Sequence, residues 1–139
     1  MIRRDDWLEA LHAALDRWRD VDYDRVTANC LLLIHDAVLA MTGEDRLLAL
    51  GTSRDKVTTR RGMLALLAQH GGSDGILDAA LGARIPLLWA RTGDVAMIPT
   101  DDEPAFGIVD GMHVVCLEHS HGLAQLPLAR AVAAWKVGA

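Results

Sequence analysis

One cysteine occupies a position at which it could act as a nucleophile. Cys30 follows Asn29 in the stretch 27–43, where apolar residues recur at spacings of three and four. The pattern predicts a helix that Thr27 or Asn29 caps and that Gly43 ends. Because the helix dipole and the free N–H groups of a first turn favour a thiolate, Cys30 is a candidate nucleophile, and it would need a histidine base. The alternative is a small buried core residue.

A second group of reactive side chains lies near the C-terminal end. His113, Cys116, His119 and His121 fall within nine residues and are all metal-ligand types. On a strand, however, Cys116 points to the opposite face from His113, and the spacing follows no standard ligand pattern. We therefore expect no metal and no other cofactor, with Cys116 in the core and the histidines on a loop. His119 or His121 remains an alternative base that could reach Cys30 from another strand.

The composition of the chain narrows the classes of function. With 139 residues we expect a single domain, residues 1–139. The net charge of -5 argues against nucleic-acid binding. The first six residues lack the apolar core of a signal peptide, and the longest apolar run, residues 30–34, is too short to span a membrane. Two cysteines make no disulfide framework, so cytoplasmic synthesis with reduced thiols is expected.

Periodicity predicts an α+β fold. Segments with helical spacing follow one another up to about Leu81, and short strands are predicted at 94–99, 105–109, 112–118 and 123–126. Asp110-Gly111 is a strong hairpin signal between the second and third of these strands. A last helix is predicted from Pro127 or Leu128 to Trp135. The helices should pack on one side of a small antiparallel sheet, around the central Cys-bearing helix.

Several short segments, taken in order, resemble a family of small proteins from phages and prophages that are found among tail genes. The resemblance covers about residues 6–137. The segments that carry it are Asn29-Cys30, 37–43, Gly71-Gly72, Arg91-Thr-Gly-Asp-Val95, Gly107-Ile-Val-Asp-Gly111, Gly122-Leu123, Pro127-Leu128 and Ala134-Trp135-Lys136-Val137. That family in turn resembles the NlpC-type cell-wall cysteine peptidases, which implies a papain-like fold.

The resemblance to NlpC-type enzymes also implies roles for individual residues. Cys30 matches the nucleophile, Gly93-Asp94-Val95 matches the first strand, and the segment 105–108 matches the strand that begins with the catalytic histidine. In this sequence Ala105 stands at the histidine position, and Asn29 replaces the usual aspartate before the cysteine. Loss of a general base lowers the rate by a factor of roughly 10² to 10⁴, so the enzyme assignment is uncertain and inactivity is favoured.

Two functions follow as expectations. The first is a structural or assembly protein of the phage virion, at the tail tip or hub, whose partners are other tail proteins. Residues 52–59 and 100–104, and the basic stretch 54–61, are its candidate docking segments. The alternative is an active cysteine peptidase or amidase that acts on peptidoglycan during infection. A host-side adaptor without a phage role is a weaker third option.

Overall fold

A computed structural model describes residues 1–26, 28–117 and 122–138. The described part contains six α-helices and six β-strands. The helices are α1 (Trp7–Trp18), α2 (Cys30–Thr42), α3 (Arg46–Ala49), α4 (Arg54–Val57), α5 (Arg60–His70) and α6 (Ser73–Leu81). The strands are β1 (Arg84–Ile85), β2 (Val95–Ile98), β3 (Ala105–Asp110), β4 (His113–Leu117), β5 (Leu123–Pro127) and β6 (Ala133–Trp135). Two short 3₁₀ turns cover Leu87–Trp89 and Leu128–Arg130.

Helix α2 lies at the centre of the domain, as the sequence predicts. The side chain of Asn29 accepts a hydrogen bond from the Leu32 N–H and caps the helix. Gly43 ends it in the left-handed conformation, with φ of 74°. Seven of its thirteen residues are buried, more than in any other described helix. Helix α1 packs along it, and strands β3 and β4 lie beneath it.

The strands form one antiparallel sheet in the order β1-β6-β2-β3-β4-β5. Strands β2 to β5 occupy the four regions predicted from the sequence. Asp110 pairs with His113 across the predicted hairpin, and Gly111 adopts φ of 60° in the turn. The described part of the chain is therefore an α+β fold.

Side chains of alternating residues pack on the two faces of the sheet. Phe106, Ile108 and Val115 belong to the large core that contains the helices. Val109 and Val114 belong to a smaller core on the opposite face. The helices thus cover one face, which agrees with the prediction.

The prediction of a C-terminal helix is wrong. Only the 3₁₀ turn Leu128–Arg130 follows β5, and the next residues form β6, which pairs with β1 on one side and β2 on the other. Ala133, Ala134 and Trp135 are all buried. Alanine favours helices intrinsically, but burial between two strands outweighs that local preference. The two-residue strand β1 was also not predicted.

In the described residues, no helix combines the length with the apolar character that a membrane crossing requires. The longest, α2, has 13 residues.

Candidate functional site at the start of helix α2

Cys30 is the first residue of α2, and its position is fixed by the residue before it. The Asn29 side chain accepts a hydrogen bond from Leu32 N at 3.1 Å and donates one to the Arg25 carbonyl at 2.9 Å. One amide therefore holds both the first turn of the helix and the loop that precedes it. This explains why Asn suits the position: a carboxylate accepts hydrogen bonds but donates none.

The Cys30 thiol is half-buried against the sheet. Burial raises the pKa of Cys30, and backbone hydrogen-bonding interactions at Phe106 and Leu117 offset this only in part. These two residues lie on the paired strands β3 and β4, one position beyond the pair Gly107 and Cys116. The thiol form therefore dominates at neutral pH, which is the opposite of the state that a helix N-terminus alone would favour.

The position expected to carry a base does not face the cysteine helix. Ala105 begins β3, and its neighbour Phe106 points into the core shared with α2. Because successive side chains of a strand alternate, Ala105 is directed to the other face. Among the described histidines, none is hydrogen-bonded to Cys30. His119 and His121, the alternative bases, lie outside the described residues, so that assignment stays a prediction.

A tyrosine and an ion pair lie beside the start of α2. Burial is the largest of the effects that raise the pKa of Tyr23, and Glu103, Cys30 and Asp24 add to it, while Arg25 lowers it. The Tyr23 phenol thus stays protonated next to the cysteine. Arg25 and Glu103 form an exposed ion pair at 3.1 Å. Glu103, in the candidate docking segment 100–104, therefore pairs with a cation of the loop before α2.

The remaining sequence candidates do not converge on Cys30. His113 is exposed at the start of β4, whereas Cys116 is buried in the same strand, with Sγ 3.9 Å from the Ala124 carbonyl. Residues 1–26, 28–117 and 122–138 contain no group of three His, Cys, Asp or Glu side chains arranged to hold a metal ion.

A second surface feature was not predicted from the sequence. A groove of about 680 Å³ opens at the β1 edge of the sheet, between the N-terminal segment and the ends of β1, β2 and β6. Its lining includes Arg3, Trp7, Trp89, Arg91 and Lys136. The available signal was the apolar run Pro86-Leu87-Leu88-Trp89, which follows a very short strand and has no helical or alternating pattern to bury it.

Comparison with known proteins identifies the family of the chain. The model of a family described as a domain of unknown function, DUF6950, matches residues 2–137. The chain therefore belongs to this family. No curated protein and no solved structure matches it.

Proposed function

We propose that this member of the DUF6950 family is a structural or assembly component of a phage tail, at the tail tip or hub, with a degenerate papain-like fold of the NlpC type. It works by docking to other tail proteins. The phage assignment is supported by the order and spacing of the resembling segments. The papain-like assignment is supported by a cysteine that begins the central helix and packs against neighbouring antiparallel strands.

The observation that best supports a loss of catalysis is that the Cys30 thiol is protonated and has no base beside it among the described residues. A cysteine nucleophile needs a thiolate and a base within hydrogen-bond reach. Burial raises the pKa of Cys30, and the strand position for the base holds Ala105, which faces away from α2. Both requirements are therefore unmet by the described residues.

The experiment has two readouts on one protein. Mass spectrometry of purified phage particles should detect the chain at a fixed ratio to the other tail proteins. Purified protein incubated with peptidoglycan should release no muropeptides above the level of Cys30→Ala. Absence from the particles would reject the tail role, and release that depends on Cys30 would reject the loss of catalysis.

The alternative is an active peptidase or amidase on peptidoglycan. The observation that favours it is Cys30 at a helix N-terminus, beside the protonated phenol of Tyr23. His119 or His121 would then supply the base. In that case the double variant His119→Ala and His121→Ala should abolish muropeptide release as completely as Cys30→Ala does.

A further inference from the structure

Three consecutive large apolar residues are exposed after β1. We call Leu87, Leu88 and Trp89 the apolar tip. Leu88 is 98% exposed and Trp89 is 68% exposed. A run of exposed apolar residues commonly marks a binding site, because the free energy of the system falls when such residues are removed from water.

The apolar tip adjoins the groove at the β1 edge, which we call the basic groove. Its deepest cation is already satisfied: Arg3 donates to the Val137 carbonyl, the Thr92 carbonyl and Asp94, at 2.7 to 2.9 Å. The Arg3 guanidinium also stacks 4.3 Å above the Trp7 ring. Arg3 is therefore part of the wall and is not available to a ligand.

Two other cations of the basic groove are available. Arg91 and Lys136 are exposed, and no described side chain pairs with either of them. The Asp94 carboxylate in the same groove is occupied by Arg3 and by the N–H groups of Arg91 and Val137. Arg4, which pairs with Asp6, and the carboxylate of Asp5 also line the groove. Four basic and two acidic residues therefore make the groove basic in a chain whose net charge is -5.

We infer that the apolar tip and the basic groove together form a docking surface for an acidic segment of another protein, in which a large apolar side chain lies next to Asp or Glu. The inference deepens the proposed docking role and rests on it. The apolar side chain packs on Leu88 and Trp89, and the carboxylates pair with Arg91 and Lys136. Such a combination of an aromatic anchor with flanking charge pairs is typical of protein interfaces.

The chemistry of the surface favours a peptide over other anions. Exposed leucines contribute nothing to a nucleic acid, and the overall negative charge opposes a polyanion.

The test uses purified protein and three labelled twelve-residue peptides in fluorescence anisotropy. One peptide contains Glu, Leu and Trp; the second replaces Glu by Lys; the third replaces Leu and Trp by Ser. A muropeptide and a single-stranded oligonucleotide are measured as competitors. We expect binding of the first peptide alone. The double variant Arg91→Glu and Lys136→Glu should lower its affinity about tenfold, and Trp89→Ala should lower it several-fold.

The matched control reverses two exposed arginines that lie outside the groove and outside the candidate docking segments, Arg17→Glu and Arg130→Glu. It changes the net charge by the same amount and should leave the affinity within about twofold, because screening limits distant charges. Equal loss in both double variants would overturn the inference, and so would tighter binding of the muropeptide or oligonucleotide, or no peptide binding at all.

Photo-crosslinking in assembled phage particles tests the docking surface separately from the proposed tail role. A crosslinker placed at position 88 should capture another virion protein through a segment that contains carboxylates, whereas one at the exposed position 48 on α3 should not. Incorporation of the protein with crosslinks at position 48 alone, or only to a second copy, would overturn the docking surface while leaving the tail role intact.

Discussion

Arg3 and Asp94 form an ion pair with Nη2 and Oδ1 2.9 Å apart, although 91 residues separate them in the sequence. Asp94 also accepts hydrogen bonds from Arg91 N and Val137 N. One carboxylate thus joins the N-terminal segment, the start of β2 and the end of β6. The Gly93-Asp94-Val95 segment, which the sequence pointed to as a strand start, is a structural junction.

Loss of the Asp94 carboxylate should strongly destabilise the fold. Both side chains are largely buried, at 13% and 4% exposure, so Asp94→Ala leaves an uncompensated guanidinium. We expect the free energy of unfolding to fall by about 3 to 5 kcal/mol in urea titrations. Asp6→Ala breaks the exposed pair with Arg4 and should cost no more than about 1 kcal/mol. Equal effects of the two substitutions would contradict the structural role of Asp94.

The Cys30 thiol should react slowly. Because burial raises its pKa, we expect iodoacetamide to modify it at pH 7.5 at least about tenfold more slowly than in the unfolded chain. The measurement uses a Cys116→Ala background, so that Cys30 is the single thiol, and mass spectrometry. A rate in the folded protein equal to or above that of the unfolded chain would indicate an activated nucleophile.

The parts of the fold that could be predicted are those set by local chemistry. The cap at Asn29, the left-handed end at Gly43 and the Asp110-Gly111 turn are each fixed by a few neighbouring residues. Strand β6 could not be predicted, because its alanines favour a helix locally and become strand residues only between β1 and β2. The paired residues are 36 to 51 positions apart in the sequence.

Substitution of Trp135 should show how much β6 contributes to the stability of the fold. Its ring is fully buried, and Nε1 donates to Asp78 Oδ1 of α6 at 2.9 Å. Trp135→Phe removes this hydrogen bond and some volume, and we expect a loss of about 1 to 3 kcal/mol. Trp89→Phe makes the same change at an exposed position and should have nearly no effect on the thermal midpoint. A comparable loss in both variants would contradict the burial of β6.

The candidate site could be predicted only in part. Cys30 at the start of a helix follows from sequence, and so does the absence of histidine at position 105. The surroundings of the thiol do not follow, because Phe106 and Leu117 act on it through backbone groups, which carry no residue-specific signal. The basic groove was missed for a related reason: Arg3, Trp89 and Lys136 meet only after β1, β2 and β6 are aligned.

The lowered pKa of His35 should make the free energy of unfolding depend on pH. Burial lowers its pKa, the neighbouring Asp45 and Asp36 raise it only in part, and Nδ1 has no hydrogen-bond partner among the described residues. The unfolded chain therefore takes up the proton first, at about pH 6.5. Between that pH and the lower pKa of the folded state, the unfolded state holds more protons, so stability falls as the pH falls.

The slope from this single group is at most about 1.4 kcal/mol per pH unit. Urea unfolding between pH 7.5 and 5.0 should show it in the wild type, and His35→Leu should remove it. His12→Gln changes a half-exposed histidine and should keep the slope. A slope that persists in His35→Leu would assign it to other groups.

Complementation tests the central claim, that the protein acts in the tail without the chemistry of Cys30. The gene is deleted from the phage, and wild type, Cys30→Ala and the double variant Arg91→Glu and Lys136→Glu are supplied in trans. Plaque counts and electron microscopy of tails are recorded. We predict that Cys30→Ala restores tails and infection to the wild-type level, whereas the double variant does not. Normal tails in the deletion, with infection restored by wild type and not by Cys30→Ala, would contradict the account.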